Sequence, residues 1–545
     1  MKGSMRMWRL IPVATVVLLA VRMTTPAPPE FARAATHSVW TTSSMIRVSQ
    51  TEQPGSRSFV NIYAARGEYE PFQVIVTAGD AALSGVDVSM SDLSGPNGAI
   101  IPAAATELFR EVYVPVTTSS PDPGYGNRPE GTGPYPDALI PFLDPGTGRR
   151  LRGRNAAVPF AVAPYRNQPV WADLHVPADA PPGTYTGSVT VLAGGEHRVV
   201  PVSVTVWNFE LPLRPTLKSS FGLHQPNLSD RRIHELLLRH RLMPESVNPA
   251  DARELQQQFG LNATALRFWG NSDRKTCTMD PPPDAASIAA VASLYPPDLP
   301  LHMYPADEID PCPNLFRTVR DWAATMRFAD PRIKNLVTVS PQADLLDDRE
   351  PDSRSVVDIW TLLPKAWEVA RPQILAAQAK GDEVWSYTAL VQDAYSPKWE
   401  IDFAPINFRI QPGLLSQSLS LTGILYWRVD LWTRSPWTDV TGYAIDGYRY
   451  PGEGMLIYPR APPGVRSVVP SMRLKWIREG VEDFEYVAIL KRLGHEAWAL
   501  RTARRAAEDW TNWTRDPEVL ESVRRELGNE IERLMSPADP PLAGR

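Results

Sequence analysis

The sequence predicts a multidomain β + α/β protein: an N-terminal β-sandwich, a (β/α)8-type barrel and a C-terminal helical segment. Two rhythms along the chain carry this expectation. From His37 to about Pro215, short alternating apolar runs are cut by Gly and Pro and show no amphipathic helical stripe, as the strands of a sandwich do. Beyond residue 215, strand-like runs alternate with helical stripes, the pattern of parallel strands closed into a barrel. An open doubly wound sheet competes with the barrel, but no G-x-G-x-x-G follows any strand. The 545 residues suffice for two or three domains, and 43% hydrophobic against 21% charged residues excludes wholesale disorder. The expected divisions are a leader at 1–34, a sandwich at 35–215, a barrel at 216–460 and a helical extension at 461–545, packed on the barrel.

The leader has a basic start (Lys2, Arg6, Arg9), an apolar run from Leu10 to Val21 and the small-residue site Ala32-Arg33-Ala34. Such a run is shorter than the ~20 residues that span a bilayer, so an exported protein is expected, secreted, periplasmic or at the cell surface. An uncleaved anchor is the alternative. The leader holds five basic residues and one acid, so its removal takes the net charge from −5 to −9. A mildly acidic chain without a Lys/Arg run offers nucleic acid no footprint, and anionic lipid none. Cys277 and Cys312 are the only cysteines. In an oxidising compartment they form a bridge; otherwise they are two buried thiols.

In the first part, Phe72–Val76, Val86–Met90 and Val170–Val176 read as strands, and Gly183–Val191 turns at Gly194-Gly195 into a partner at Arg198–Trp207. Residues 119–156, rich in Pro and Gly, read as a long loop. In the second part, Ser229 caps a helix through Ile233, Leu236 and Leu237, with Asp230 near its positive end. Strands follow at Thr264–Trp269, Leu301–Tyr304, Asn335–Ser340, Glu383–Ala389 and Gly423–Trp427. Helices are expected at Asp284–Leu294, Asn314–Met326, Val356–Ala379 and through the tail from Ser471 to about Met535.

Negative observations narrow the chemistry. There is no G-x-x-x-x-G-K-[ST], G-x-S-x-G or H-E-x-x-H, and the eight histidines never take metal-ligand spacing. No metal or cofactor is therefore expected, which leaves hydrolysis through carboxylates. Tyr304-Pro305-Ala306-Asp307-Glu308 ends a predicted barrel strand, where such folds place their active sites. Pro305 is expected to end the ladder, so that Asp307 and Glu308 turn into one cavity. The bland alternative is a solvated loop pair that caps the next helix. Trp269, Trp385, Tyr387 and Trp427 lie in or at the ends of predicted strands, where they either stack on a pyranose or fill space between barrel and helices.

Several motifs occur in the order of a known family. They are Asp307-Glu308 after a strand, Gly423–Trp427, Gly454–Pro459, and the long run from Ser471 to Tyr486. Together with Ala65–Gln73 near the N-terminus, they resemble glycoside hydrolase family 123, also known as domain-of-unknown-function family 4091. The resemblance covers roughly residues 40–490. It implies a retaining β-N-acetylhexosaminidase, with GalNAc favoured, in which the 2-acetamido oxygen of the substrate replaces an enzyme nucleophile. Carried over, Glu308 is the general acid/base and Asp307 holds the acetamido N–H. The sequence departs from the family at Ile309, where many members have proline. Arg473, Arg478, Glu482 and Asp483 match the family's helical motif, and on a helix they are expected to form structural ion pairs. The expected partner is a glycan substrate. A non-catalytic glycan-binding surface protein with a decayed barrel is the alternative.

Overall fold

The computed structural model describes residues 37–124, 126–151, 156–225, 231–349, 353–461, 464–465 and 467–535. The leader and the Ser229 cap with Asp230 lie outside the described residues. The described residues form one compact unit.

Two mainly antiparallel sheets build the first part. One is ordered His37–Ser43, Tyr69–Ala78, Asn167–His175, Thr106–Val116, Gly133–Pro141. The other runs Val60–Arg66, Glu196–Glu210, Gly183–Ala193, Leu83–Met90, Phe160–Val162, with a parallel pairing at Val60–Arg66. Alternate residues of both sheets meet in one apolar core, among them Phe72, Val74, Val170 and Leu174 from the first and Val189, Val191, Val202 and Val204 from the second. The Gly194-Gly195 hairpin forms as expected, Ala193 pairing with Glu196. The expected loop at 119–156 instead contains the strand Gly133–Pro141. Its prolines are tolerated because it lies at the sheet edge, where a missing N–H breaks no ladder.

Seven parallel strands curl into a nearly closed barrel. Their order is Lys218–Phe221, Gly423–Tyr426, Glu383–Tyr387, Ile359–Leu362, Ile333–Thr338, Leu301–Ala306, Thr264–Ala265. The gap between the outer two is bridged by residues 243–245. Phe221 N–H donates to Met243 O (2.9 Å), Glu245 N–H to Phe221 O (2.9 Å) and Ala265 N–H to Glu245 O (2.7 Å). Helices are fewer than eight-fold alternation demands: between Ile333–Thr338 and Ile359–Leu362 the only helical turn among the described residues is the short one at Ala343–Leu345.

Two expected elements differ. The predicted helix Val356–Ala379 is a buried strand, Ile359–Leu362, followed by the helix Pro364–Ala379. Proline is suited to the first helical position and holds the residue before it extended, so Pro364 starts the helix and Leu363 stays β-like. Of the predicted strand Thr264–Trp269 only Thr264–Ala265 is paired, and Trp269 lies in the loop beyond.

The helix Met472–Arg492 is buried along nearly its whole length and unites the molecule. It lies on the face of the first sheet that carries Trp171 and Asp173. Arg473 pairs with Asp137, Lys475 and Arg478 with Asp173, Glu482 with Arg241, and Asp483 with Arg409. Gly480 is small for a reason: a Cβ there would sit 2.3 Å from the carbonyl oxygen of Arg409. Pro517–Met535 packs beside this helix, and its Asn529 accepts from the Trp207 indole (3.0 Å).

Candidate active site

A cavity of about 1530 Å³ opens at the C-terminal ends of the barrel strands. Its lining is contributed by the loop 272–275, the ends of six strands, one face of the Pro364–Ala379 helix and the hairpin 443–450. Asp307 and Glu308 both line it. The strand carrying them runs through Pro305 to Ala306, with a register shift between Met303 and Ala306, rather than ending at the proline. The chain then turns sharply: Glu308 has φ of +48°, a left-handed conformation that a non-glycine residue rarely adopts. The turn sends the adjacent carboxyls to different partners.

Asp307 Oδ1 accepts from the hydroxyls of Tyr304 (2.6 Å) and Thr338 (2.7 Å). The Asp307 N–H donates to Ser272 Oγ (2.9 Å). Oδ2 accepts no hydrogen bond from the described residues and Asp307 is exposed, so one oxygen faces the cavity. Burial, and then the Asp307 charge, push the Tyr304 hydroxyl well above its ordinary range, which keeps it a donor. Thr338 acts twice, since its hydroxyl also accepts the Glu308 N–H (2.6 Å). Glu308 Oε1 accepts from the Tyr387 hydroxyl (2.9 Å), and Oε2 is paired with Arg274. Burial first, and then Asp307 and Asp310, raise Tyr387, so it too stays protonated.

The aromatic candidates divide. Tyr387 and Trp427 line the cavity. Trp427 is held from behind: its indole N–H donates to Glu453 Oε1 (2.5 Å), and Glu453 also takes the Leu390 N–H. Trp385 is fully buried inside the barrel, beside His302 and over Gly423, where any Cβ would collide with its ring; it fills space there and is not part of the cavity wall. Trp269 is 44% exposed and leans edge-on against Tyr304, but it is not part of the cavity wall. The sequence pattern does not single out Tyr304, Thr338 or Arg274 as partners of the carboxyls. Tyr304 and Thr338 carried one available signal, a hydroxyl at the end of a predicted strand; Arg274 carried none.

Cys277 and Cys312 are bonded. The bridge staples the loop bearing Arg274, closed by an Asp273–Thr278 bridge, to the segment just after the carboxyl pair. By loop entropy it contributes about 3–4 kcal/mol for this separation. The double variant C277S/C312S is expected to unfold at lower temperature in calorimetry. Alkylation of the native, unreduced protein is expected to find no free thiol, and two free thiols would refute the bridge.

No metal-binding group of three or more His, Cys, Asp or Glu is present among the described residues. No described helix is long and apolar enough to cross a membrane.

Two carboxyls at the strand ends of a parallel barrel can supply the acid and the anion that cleavage of a glycosidic bond needs. Residues 41–193 match the family profile "Glycoside hydrolase 123 N-terminal domain" and residues 317–490 match "Glycoside hydrolase 123, catalytic domain". The chain belongs to glycoside hydrolase family 123 and is a glycosidase. The second match begins after Asp307 and Glu308. Among solved structures, a family 123 glycoside hydrolase from Clostridium perfringens, studied for glycolipid glycan hydrolysis, superposes with a TM-score of 0.63 at 13% identity, covering 91% of this chain and 97% of that one. A GH2 β-galacturonidase from Eisenbergiella tayi reaches a TM-score of only 0.28 at 9% identity, covering 76% and 68% of the two chains. A comparison with curated proteins returns no match.

Proposed function

We propose that this glycosidase is an exported, retaining, substrate-assisted β-N-acetylhexosaminidase, with GalNAc as the favoured sugar. The observation that carries the reading is the division of labour at the strand end. Asp307 is held by two hydroxyls on one oxygen and offers the other to the cavity. Glu308 stands beside it on a turn of opposite hand.

In this reading the acetamido oxygen attacks C1 as the glycosidic C–O bond breaks, and Glu308 gives its proton to the leaving oxygen. Asp307 Oδ2 accepts the acetamido N–H and offsets the positive charge of the oxazolinium that forms. Glu308 then takes a proton from the water that opens the ring, with net retention. A fixed anion beside a developing cation and a positioned acid at the leaving group are what the chemistry needs. This departs from the two-carboxylate arrangement in which one residue is itself the nucleophile. Arg274 occupies Glu308 Oε2 from a side chain that is 55% exposed, so in this reading it moves aside when Glu308 acts as an acid. Export rests on the leader pattern together with a bridged cysteine pair.

A panel of aryl β-glycosides tests the reading. Hexosides lacking the 2-acetamido group bring no internal nucleophile and are expected to be cleaved far more slowly than N-acetylhexosaminides. Equal rates on both would end the substrate-assisted assignment.

A further inference from the structure

The hairpin Tyr443–Ile445 and Tyr448–Tyr450 stands at the rim of the cavity. Its two-residue connection, Asp446-Gly447, has positive φ at both positions (52° and 82°), the geometry of a type I′ turn that matches strand twist. Tyr443 lies opposite Tyr450 and Ile445 opposite Tyr448, so these four side chains share one face, while Ala444 and Arg449 share the other. Tyr443, Ile445 and Tyr450 line the cavity. Tyr443 meets Trp427 edge-on, with ring centroids 5.7 Å apart, and lies 6.2 Å from Tyr450.

Exposure rises outward along this face, from buried Tyr450 through Tyr443 to Tyr448 at 56%. The hairpin is anchored at its base, where Gly452 N–H donates to Val440 O (2.8 Å) and Ile401 N–H to Pro451 O (2.9 Å). The hydroxyls of Tyr443, Tyr448 and Tyr450 make no hydrogen bond within the described residues. An isolated two-stranded hairpin is marginal in water, and an aromatic face on one is costly to leave open. The cavity it borders, about 1530 Å³, exceeds the roughly 300–1,000 Å³ of a pocket for one small ligand.

We propose that the aromatic face of this hairpin is an outer subsite that binds a second sugar residue of a glycan chain, so that the enzyme recognises an oligosaccharide rather than a lone terminal sugar. The C–H face of a pyranose carries partial positive charge and stacks on the negative face of an aromatic ring. Rigid tyrosines supply this area at small entropic cost, and their hydroxyls reach the sugar's own. A chain seated at the carboxyl pair extends past Trp427 onto Tyr443 and then Tyr448. The inference rests on the cavity being the glycan site and on GalNAc as the terminal sugar, as proposed above, but not on the roles of the two carboxyls. Wild type that leaves the aryl β-N-acetylgalactosaminide uncleaved would count against the sugar and not against the subsite.

The test uses the full-length mature protein, an aryl β-N-acetylgalactosaminide, and β-GalNAc-terminated oligosaccharides of two, three and four residues. In Tyr448→Ala and Tyr443→Ala, the ratio of kcat/KM on the tetrasaccharide to that on the aryl glycoside is expected to fall about tenfold, with Tyr448→Phe retaining most of the wild-type ratio. Calorimetric titration of Glu308→Gln with the same series is expected to show affinity rising with chain length, and the rise vanishing when Tyr448→Ala is added. Equal losses on all substrates, or affinity that does not rise with length, would overturn the subsite. If Glu308→Gln loses activity while the hairpin variants show no length dependence, only the subsite fails. If Glu308→Gln retains full activity while length-dependent binding persists, the subsite stands and the carboxyl roles fall.

Discussion

Glu308→Gln is expected to lose about 10²–10⁴-fold in kcat/KM on glycosides with poor leaving groups, the usual worth of a positioned general acid. The amide keeps the shape that meets Tyr387 but has no proton to give, so the loss grows as the leaving alkoxide becomes more basic. Activated aryl glycosides need little protonation and suffer less in the first step. Asp307→Asn behaves differently. Its charge acts on the ring side, so its loss falls on every leaving group alike. The amide also puts an N–H donor where Oδ1 accepts two hydroxyls or where Oδ2 faces the substrate N–H. The slope of log kcat/KM against leaving-group pKa separates the two: steeper for Glu308→Gln, parallel to wild type for Asp307→Asn. If both variants keep full activity, the site lies elsewhere.

The largest effect on stability is expected from Asp173→Ala. Asp173 is completely buried and receives Arg478 (2.7 Å) and Lys475 (2.7 Å) from the long helix. Burial by itself pushes its carboxyl up, but the charges and hydrogen bonds of Arg478 and Lys475 outweigh that and hold it far below the usual carboxylate range. Removing it leaves Lys475 in the core without its carboxylate and Arg478 with only Glu479 (2.8 Å) and Glu482 (3.7 Å), which costs about 3–5 kcal/mol. The same pairing sets an acid limit. A carboxyl lowered on folding contributes stability above its unfolded pKa of about 3.9, and that contribution is lost as pH falls below this value. Urea unfolding is expected to show the destabilisation at pH 7, with wild type and variant converging in strong acid. A variant as stable as wild type at pH 7 would remove this helix–sheet contact from the forces holding the unit together.

Period and punctuation are local properties, and what depends on them is legible along the chain. Alternating runs cut by Gly and Pro mark the two-sheet part, and the Gly194-Gly195 hairpin follows from its turn residues alone. The stripe Val319, Trp322, Ala323, Met326 is buried as its spacing requires. The acid pair after Leu301–Ala306 is recognisable because barrel chemistry sits at strand ends. Ile359–Leu362 escapes this reading, since a four-residue buried strand beside a helix has no period long enough to measure.

Partners distant in sequence were decided only by the tertiary structure. Arg473, Arg478, Glu482 and Asp483 are expected from the sequence to form ion pairs, but nothing along the helix names their partners. They are buried because their counter-charges arrive from elsewhere, Asp137 from 336 residues away and Asp173 from 305. Tyr304, Thr338, Arg274 and Tyr387 meet the two carboxyls only because parallel strands and a stapled loop end at one rim. Trp385 and Trp427, alike as strand aromatics, part company for the same reason: one points into the sealed barrel and the other stands at its open end. A side chain's type limits what it can do, but its burial and its partners are set by closure of the sheet, which no local pattern records.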